Sequence, residues 1–114
     1  MKVADKIRLL REMLFARRFE ERCYEAYVER NIGGFLHLYP GEEACAFGVL
    51  EAARVGHDYV ITSYRDHVHA IKSGAAPREV MAELFARETG VSKGRGGSMH
   101  IFDVKHRFMG GYAL

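Results

Sequence analysis

Apolar residues recur at helical spacing over the first thirty positions. Phe15, Phe19, Cys23 and Tyr27 step by four, and Ile7, Leu10 and Leu14 extend the stripe toward the start. This spacing predicts one long helix over about Val3 to Asn31. The other face carries Arg17, Arg18, Glu21, Arg22 and Glu25, with Arg17–Glu21 and Arg22–Glu25 as helix neighbours of opposite sign. Each such pair contributes only about 0.2–0.5 kcal/mol, so burial of the stripe has to hold the helix. Gly33-Gly34 ends it, and Gly34 to Gly41 reads as a short apolar loop. A second helix is predicted over about Glu42 to Arg54, with two carboxylates in its first turn and Gly56 past its end. Asp58 to Ser63, rich in β-branched and aromatic residues, predicts a short strand. A third helix starts near Asp66 and stops at Gly74. Pro77 then opens a fourth through about Arg87, with Val80, Met81, Leu84 and Phe85 as its stripe and Gly90 as its stop. From Gly90 to Gly111 periodicity is absent. A stretch of that length without regular structure usually marks a functional loop.

Composition narrows the class. A chain of 114 residues, 48% hydrophobic and 28% charged, is one ordinary globular domain and not a disordered segment. The longest apolar runs, Met13 to Ala16 and Ala44 to Phe47, are four residues, far below the 18 or so a membrane-spanning helix needs. No apolar core of signal-peptide length follows Met1. Cys23 and Cys45 form no CxxC and read as small buried hydrophobes in a reducing compartment. The net charge of +2 is unevenly spread. Residues 1–89 balance at −1, whereas residues 90–114 carry +3 and six of the 12 glycines. The apolar ending Tyr112-Ala113-Leu114 reads as a fragment cut where another element begins.

Three places carry candidate chemistry. In Lys93-Gly94-Arg95-Gly96-Gly97-Ser98-Met99-His100 the glycines let backbone N–H groups converge on an anion, and Lys93 and Arg95 add charge. It is not a Walker loop, and a plain surface loop or an RNA-binding basic segment are the competing readings. Tyr64-Arg65-Asp66-His67-Val68-His69 follows the predicted strand at its C-terminal end, where α/β sheets place ligand groups. There Arg65 is suited to hold a phosphate bidentately and Tyr64 to donate to one. Helix capping and solvent-facing polarity are the plainer alternative. His67 and His69 would share a side only in an extended chain, and no third ligand is obvious, so no metal site is assigned. His37, set among Phe35, Leu36, Leu38 and Tyr39, is either a structural histidine or an acid/base group. His100 and His106 flank the basic loop.

Four blocks in order carry a resemblance over most of the chain, from about Leu10 onward. They are Arg17-Arg18-Phe19-Glu20-Glu21; Gly34-Phe35-Leu36-His37-Leu38-Tyr39 with Gly41-Glu42-Glu43-Ala44; Ser63-Tyr64-Arg65-Asp66-His67; and the Lys93 to His100 stretch. Together they resemble the α subunits of thiamin-diphosphate-dependent 2-oxo acid dehydrogenases, most closely those of pyruvate dehydrogenases. The resemblance implies an α/β fold: residues 1–114 as the N-terminal, mostly helical part of a thiamin-diphosphate-binding domain whose parallel sheet is largely absent. It implies thiamin diphosphate as cofactor, with Tyr64 and Arg65 on its diphosphate. His37 becomes a catalytic or substrate-orienting group, and His67 and His100 lie in the same region. The implied reaction is decarboxylation of pyruvate, with the two-carbon unit passed to a lipoyl group. Acetoin and branched-chain 2-oxo acid dehydrogenases are the neighbouring readings. Implied partners are a β subunit and the dihydrolipoyl acyltransferase, with no nucleic acid and no membrane, in a bacterial cytoplasm or a plastid stroma. The family's magnesium motif, a GDG followed by Asn, is expected downstream of Leu114. Without it and a β subunit, the chain alone is expected neither to hold the cofactor tightly nor to turn over. A basic Gly-rich nucleotide- or RNA-binding module is the alternative of another class.

Overall fold

In the computed structural model, residues 1–112 are described; Ala113 and Leu114, the last two of the apolar ending, lie outside the described residues. Four α-helices and two strands follow in the order α1 (Val3–Val28), α2 (Glu43–Glu51), β1 (Val60–Ser63), α3 (His67–Ser73), α4 (Pro77–Leu84) and β2 (Phe108–Tyr112), with a 3-10 turn at Val104–His106 before β2. No helix among the described residues is long and apolar enough to cross a membrane. The four helices stand where the spacing and turn signals put them; α1, α2 and α4 end about three residues early, and α3 stops at Gly74 as expected. Pro77 opens α4 at its first turn, where the missing N–H costs nothing.

The face that α1 buries differs from the expected one. Ala16, Phe19, Glu20, Cys23 and Ala26 are buried, whereas Ile7, Leu10, Leu14, Phe15 and Tyr27 are exposed. The small residues Ala16 and Ala26 let neighbouring segments approach the helix closely, and that rotates the contact face away from the larger side chains. The expected Arg17–Glu21 pair is replaced as well. Arg18 pairs with Glu21, and Arg17 instead reaches Glu43 at the start of α2. Of the two cysteines only Cys23 is buried; Cys45 is exposed on α2.

Two apolar clusters flank the middle of α1. The larger joins Phe19, Cys23 and Ala26 to Ala70, Val80, Leu84, Ile101 and Phe108. The smaller joins Ala16 to Tyr39, Ala46, Phe47 and Val68. Helix α3 serves both, because Val68 and Ala70 fall on different sides of it. An ion-pair group of Lys72 with Glu12 and Glu51 ties α1, α2 and α3 together outside the smaller cluster.

The aperiodic stretch holds a strand that apolar spacing does not reveal. β2 pairs in parallel with β1, matching Val60 to Phe108, Thr62 to Gly111 and Ser63 to Tyr112, so β2 carries one extra residue. Its central Gly110-Gly111 breaks any alternation of side chains, yet the site demands it. A Cβ on Gly111 would lie 2.1 Å from the Asp66 carboxylate. Phe108, the first residue of β2, is fully buried in the larger cluster. Phe108→Ala is therefore expected to cost about 3–5 kcal/mol, read as a lowered midpoint in denaturant unfolding.

Candidate functional site

A carboxylate buried in a helix interior face needs partners, and Glu20 finds them across the fold. Its oxygens take the Nδ1–H of His67 at 2.9 and 3.1 Å. His67 Nε2 lies 2.9 Å from Ser98 Oγ. That same Oγ accepts the backbone N–H of His37 at 3.0 Å. The chain Glu20–His67–Ser98–His37 thus links α1, the start of α3, the glycine-rich loop and the apolar loop. Glu20 and His67 are 1% and 0% exposed. Burial alone would push His67 down, but the Glu20 carboxylate above all, with Asp66 and the Ser98 backbone, holds it above its ordinary value.

Around this chain the sequence candidates divide into two groups. The His37 ring meets the Tyr64 ring edge-on, with centroids 4.7 Å apart. Arg65 sits 5.6 Å from the Tyr64 ring centre and donates to the Leu38 carbonyl, next to His37. His37, Tyr64 and Arg65 therefore share one region, partly open to solvent. Nδ1 of His37 is buried there without a partner. His67 stands directly behind, fully buried and engaged through both ring nitrogens. His100 does not line that region. It is exposed and lines a cleft of about 680 Å³ with Arg95, Lys105, Glu79, Asp103 and Phe102, and none of His37, Tyr64 or Arg65 borders that cleft. His67 and His69 are two residues apart on α3 and do not act together. His69 packs edge-on against Tyr39, and its burial lowers it to about 4, keeping the ring neutral.

The anion-loop reading of residues 93–100 is overturned. The N–H groups do converge, but on the chain's own carboxylate. Glu83 Oε2 accepts from Ser92 and Gly94, both at 2.8 Å, and Oε1 from Gly96 at 2.7 Å and Gly97 at 3.2 Å. The loop reaches this shape with Lys93 and Gly94 at positive φ. Gly96 passes so close that a Cβ would lie 1.9 Å from the His100 carbonyl oxygen. With Glu83 in place, a phosphate would meet a filled cradle and a like charge. Lys93 and Arg95 stay exposed.

Glu20, Glu83 and Ser98 are the residues that apolar spacing and charge alone leave out. Each acidic one had a signal. Glu20 falls on the line of Ala16, Cys23 and Ala26, and Glu83 falls three residues after Val80 and beside Leu84. A charge on the buried stripe of a helix requires a partner.

Asp66 presents a third buried carboxylate. It accepts the Ile101 N–H at 3.3 Å, its Oδ1 has no partner, and as first residue before α3 it makes no side-chain cap bond.

The sequence profile of the family described as Dehydrogenase E1 component matches residues 11–113. The chain belongs to the dehydrogenase E1 component family. Among its relatives, a protein of Zymomonas mobilis named pyruvate dehydrogenase E1 component subunit alpha is 51% identical over 114 residues, covering 97% of this chain and 32% of that protein. Proteins of the same name from Porphyra purpurea and Rickettsia prowazekii are each 50% identical, over 93% and 96% of this chain and 30% and 33% of their own lengths. The chain spans about a third of the length of these E1 relatives.

Two outcomes follow from the buried carboxylates of this E1 chain. Glu83→Gln leaves the volume unchanged but removes the charge that four N–H groups face. The loop amides of Ser92, Gly94, Gly96 and Gly97 are then expected to exchange at least tenfold faster with deuterium, at about 1.5–3 kcal/mol for a bond to a charged group. Burial raises Asp66 from 3.8 to about 7. The folded chain therefore binds that proton more tightly than the unfolded one, and stability declines as pH rises from about 4 to about 7. Asp66→Asn is expected to remove the decline. Its gain in melting temperature over the parent should be larger at pH 8 than at pH 5.

Proposed function

We propose that this chain forms part of the α subunit of a pyruvate dehydrogenase E1 component, acting in thiamin-diphosphate-dependent oxidative decarboxylation of pyruvate with acetyl transfer to a lipoyl group. The observation that carries the reading is the convergence of His37, Tyr64 and Arg65 from two separate loops, 4.7 Å between the rings of the first two. The names of the relatives support the same choice of substrate. No observation favours the acetoin and branched-chain readings. The nucleotide- or RNA-binding reading loses its cradle to Glu83.

The residues present fit a diphosphate. A guanidinium offers five N–H donors, of which Arg65 commits one to the Leu38 carbonyl, so the rest of its fork is free for anionic oxygens. Tyr64 offers a hydroxyl beside it. The buried, partnerless Nδ1 of His37 leaves one polar atom to be satisfied by whatever enters. Bound thiamin diphosphate would supply the electron sink on which a 2-oxo acid loses carbon dioxide. Tyr64 and Arg65 hold and orient the diphosphate end, and His37 holds a proton at its ring for the reacting substrate. His67, with no exposed atom, acts on His37 from behind and not on substrate. His100 lines a cleft that His37, Tyr64 and Arg65 do not border, and it takes no part in this reading.

Magnesium does not fit the described residues. The group of ligand atoms that gathers is Glu20, Cys23 and His67, fully buried and including a thiol, whereas magnesium takes oxygen ligands in an octahedron with several waters. Its ligands in this reading come from other parts of the enzyme. The β subunit and the dihydrolipoyl acyltransferase are the proposed partners, in a bacterial cytoplasm or a plastid stroma.

Arg65→Ala tests the reading. In the protein assembled with its β subunit, isothermal titration should show thiamin diphosphate bound about 10–100-fold more weakly, the effect of losing a charge-assisted contact. Unchanged affinity with intact folding would remove Arg65 from the diphosphate.

A further inference from the structure

The buried Glu20–His67–Ser98 chain ends on a main-chain group of the one loop that carries His37. A serine hydroxyl by itself is a free rotor, and a single N–H bond to it fixes little. Here both lone partners of Ser98 Oγ are specified, His37 N–H at 3.0 Å on one side and His67 Nε2 at 2.9 Å on the other. His67 in turn cannot rotate, because two Glu20 oxygens hold its Nδ1. The heavy-atom pattern also survives either protonation state of the imidazole. When His67 is neutral, Ser98 donates to Nε2. When His67 is charged, Nε2 donates to Ser98, and Oγ still accepts from His37. The Arg65 bond to the Leu38 carbonyl anchors the loop one residue further on. The His37 backbone is thus clamped on both sides, and its ring is steadied against Tyr64.

We propose that Glu20, His67 and Ser98 are positioning residues for His37: they fix its backbone through the His37 N–H···Oγ Ser98 bond and so aim its imidazole at the reacting centre. This rests on the reading above, in which His37 faces substrate. The alternative role for the three residues is plain core stability, and the two roles separate by coupling. Residues that act through a common group show non-additive effects, whereas independent sites add.

The test uses the protein assembled with its β subunit and two readouts. The first is deuterium exchange at the His37 amide. The second is kcat and KM for pyruvate in Ser98→Ala, His37→Ala and the double variant. Ser98→Ala should expose the His37 amide to at least tenfold faster exchange. It should lower kcat at least tenfold with KM changed less than threefold, and it should add nothing further in the His37→Ala background. Multiplying effects in the double variant, or an unchanged His37 amide, would overturn the relay. Glu20→Gln, which alters one charge and no volume, guards against a Ser98→Ala protein that fails to fold. It should move exchange and kcat in the same direction by a smaller factor, and no change in both would equally overturn the relay. The amide exchange reads the relay independently of turnover. If His37→Ala leaves kcat intact while Ser98→Ala frees the amide, the assignment of His37 to the reaction fails and not the clamp.

Discussion

Burying the Glu20 carboxylate is the constraint around which the rest of the structure is arranged. An isolated charge in a low-dielectric interior costs several kcal/mol, and the cost is tolerable only when hydrogen-bond partners are held in place. Glu20 sits between the two apolar clusters on α1, so its partner has to arrive from another element. His67 does, and with it come Ser98 and the His37 loop. One residue is drawn from each of the four sequence blocks that resemble the dehydrogenase α subunits. What reads along the chain as four separate motifs is, in three dimensions, a single row of hydrogen bonds. That convergence also explains why Tyr64 and Arg65 lie beside His37: they immediately precede Asp66 and His67, whose position the row fixes.

A second buried acid organises the glycine-rich loop. Glu83 on α4 gathers four backbone N–H groups that would otherwise form an anion cradle. The loop is consequently a structural turn around an internal counter-charge. It carries Ser98, which is buried, while Lys93 and Arg95 remain outside. The basic character of this end of the chain and its glycine content are real, but they belong to different faces of the loop.

Much of the architecture was legible from residue spacing. All four helices, β1 and the Pro77 start follow the apolar and turn signals. The buried face of α1 departs from the stripe of large apolar residues because Ala16 and Ala26, small and therefore close-packing, set the contact. β2 was hidden because Gly110-Gly111 gives no alternation, and glycine is required there by the nearby Asp66 carboxylate. At the site, His37, Tyr64 and Arg65 could be named from resemblance, and their meeting is visible only in the fold. Glu20 and Glu83 look like surface charges in a sequence rich in Arg and Glu. Only their place on the helix stripes distinguishes them, and no local pattern connects Ser98 to His37 across 61 positions.

Glu83 and Glu20 differ in how far along the chain they reach. Glu83 binds groups only 9 to 14 residues away, whereas the row from Glu20 closes over 47, 31 and 61 residues. On the logarithmic law for loop closure, joining ends 61 apart costs roughly 2 kcal/mol more chain entropy than joining ends 9 apart. The cradle around Glu83 is thus a local, self-sufficient knot. The histidine row is a tertiary clasp, which closes only once every distant piece has docked.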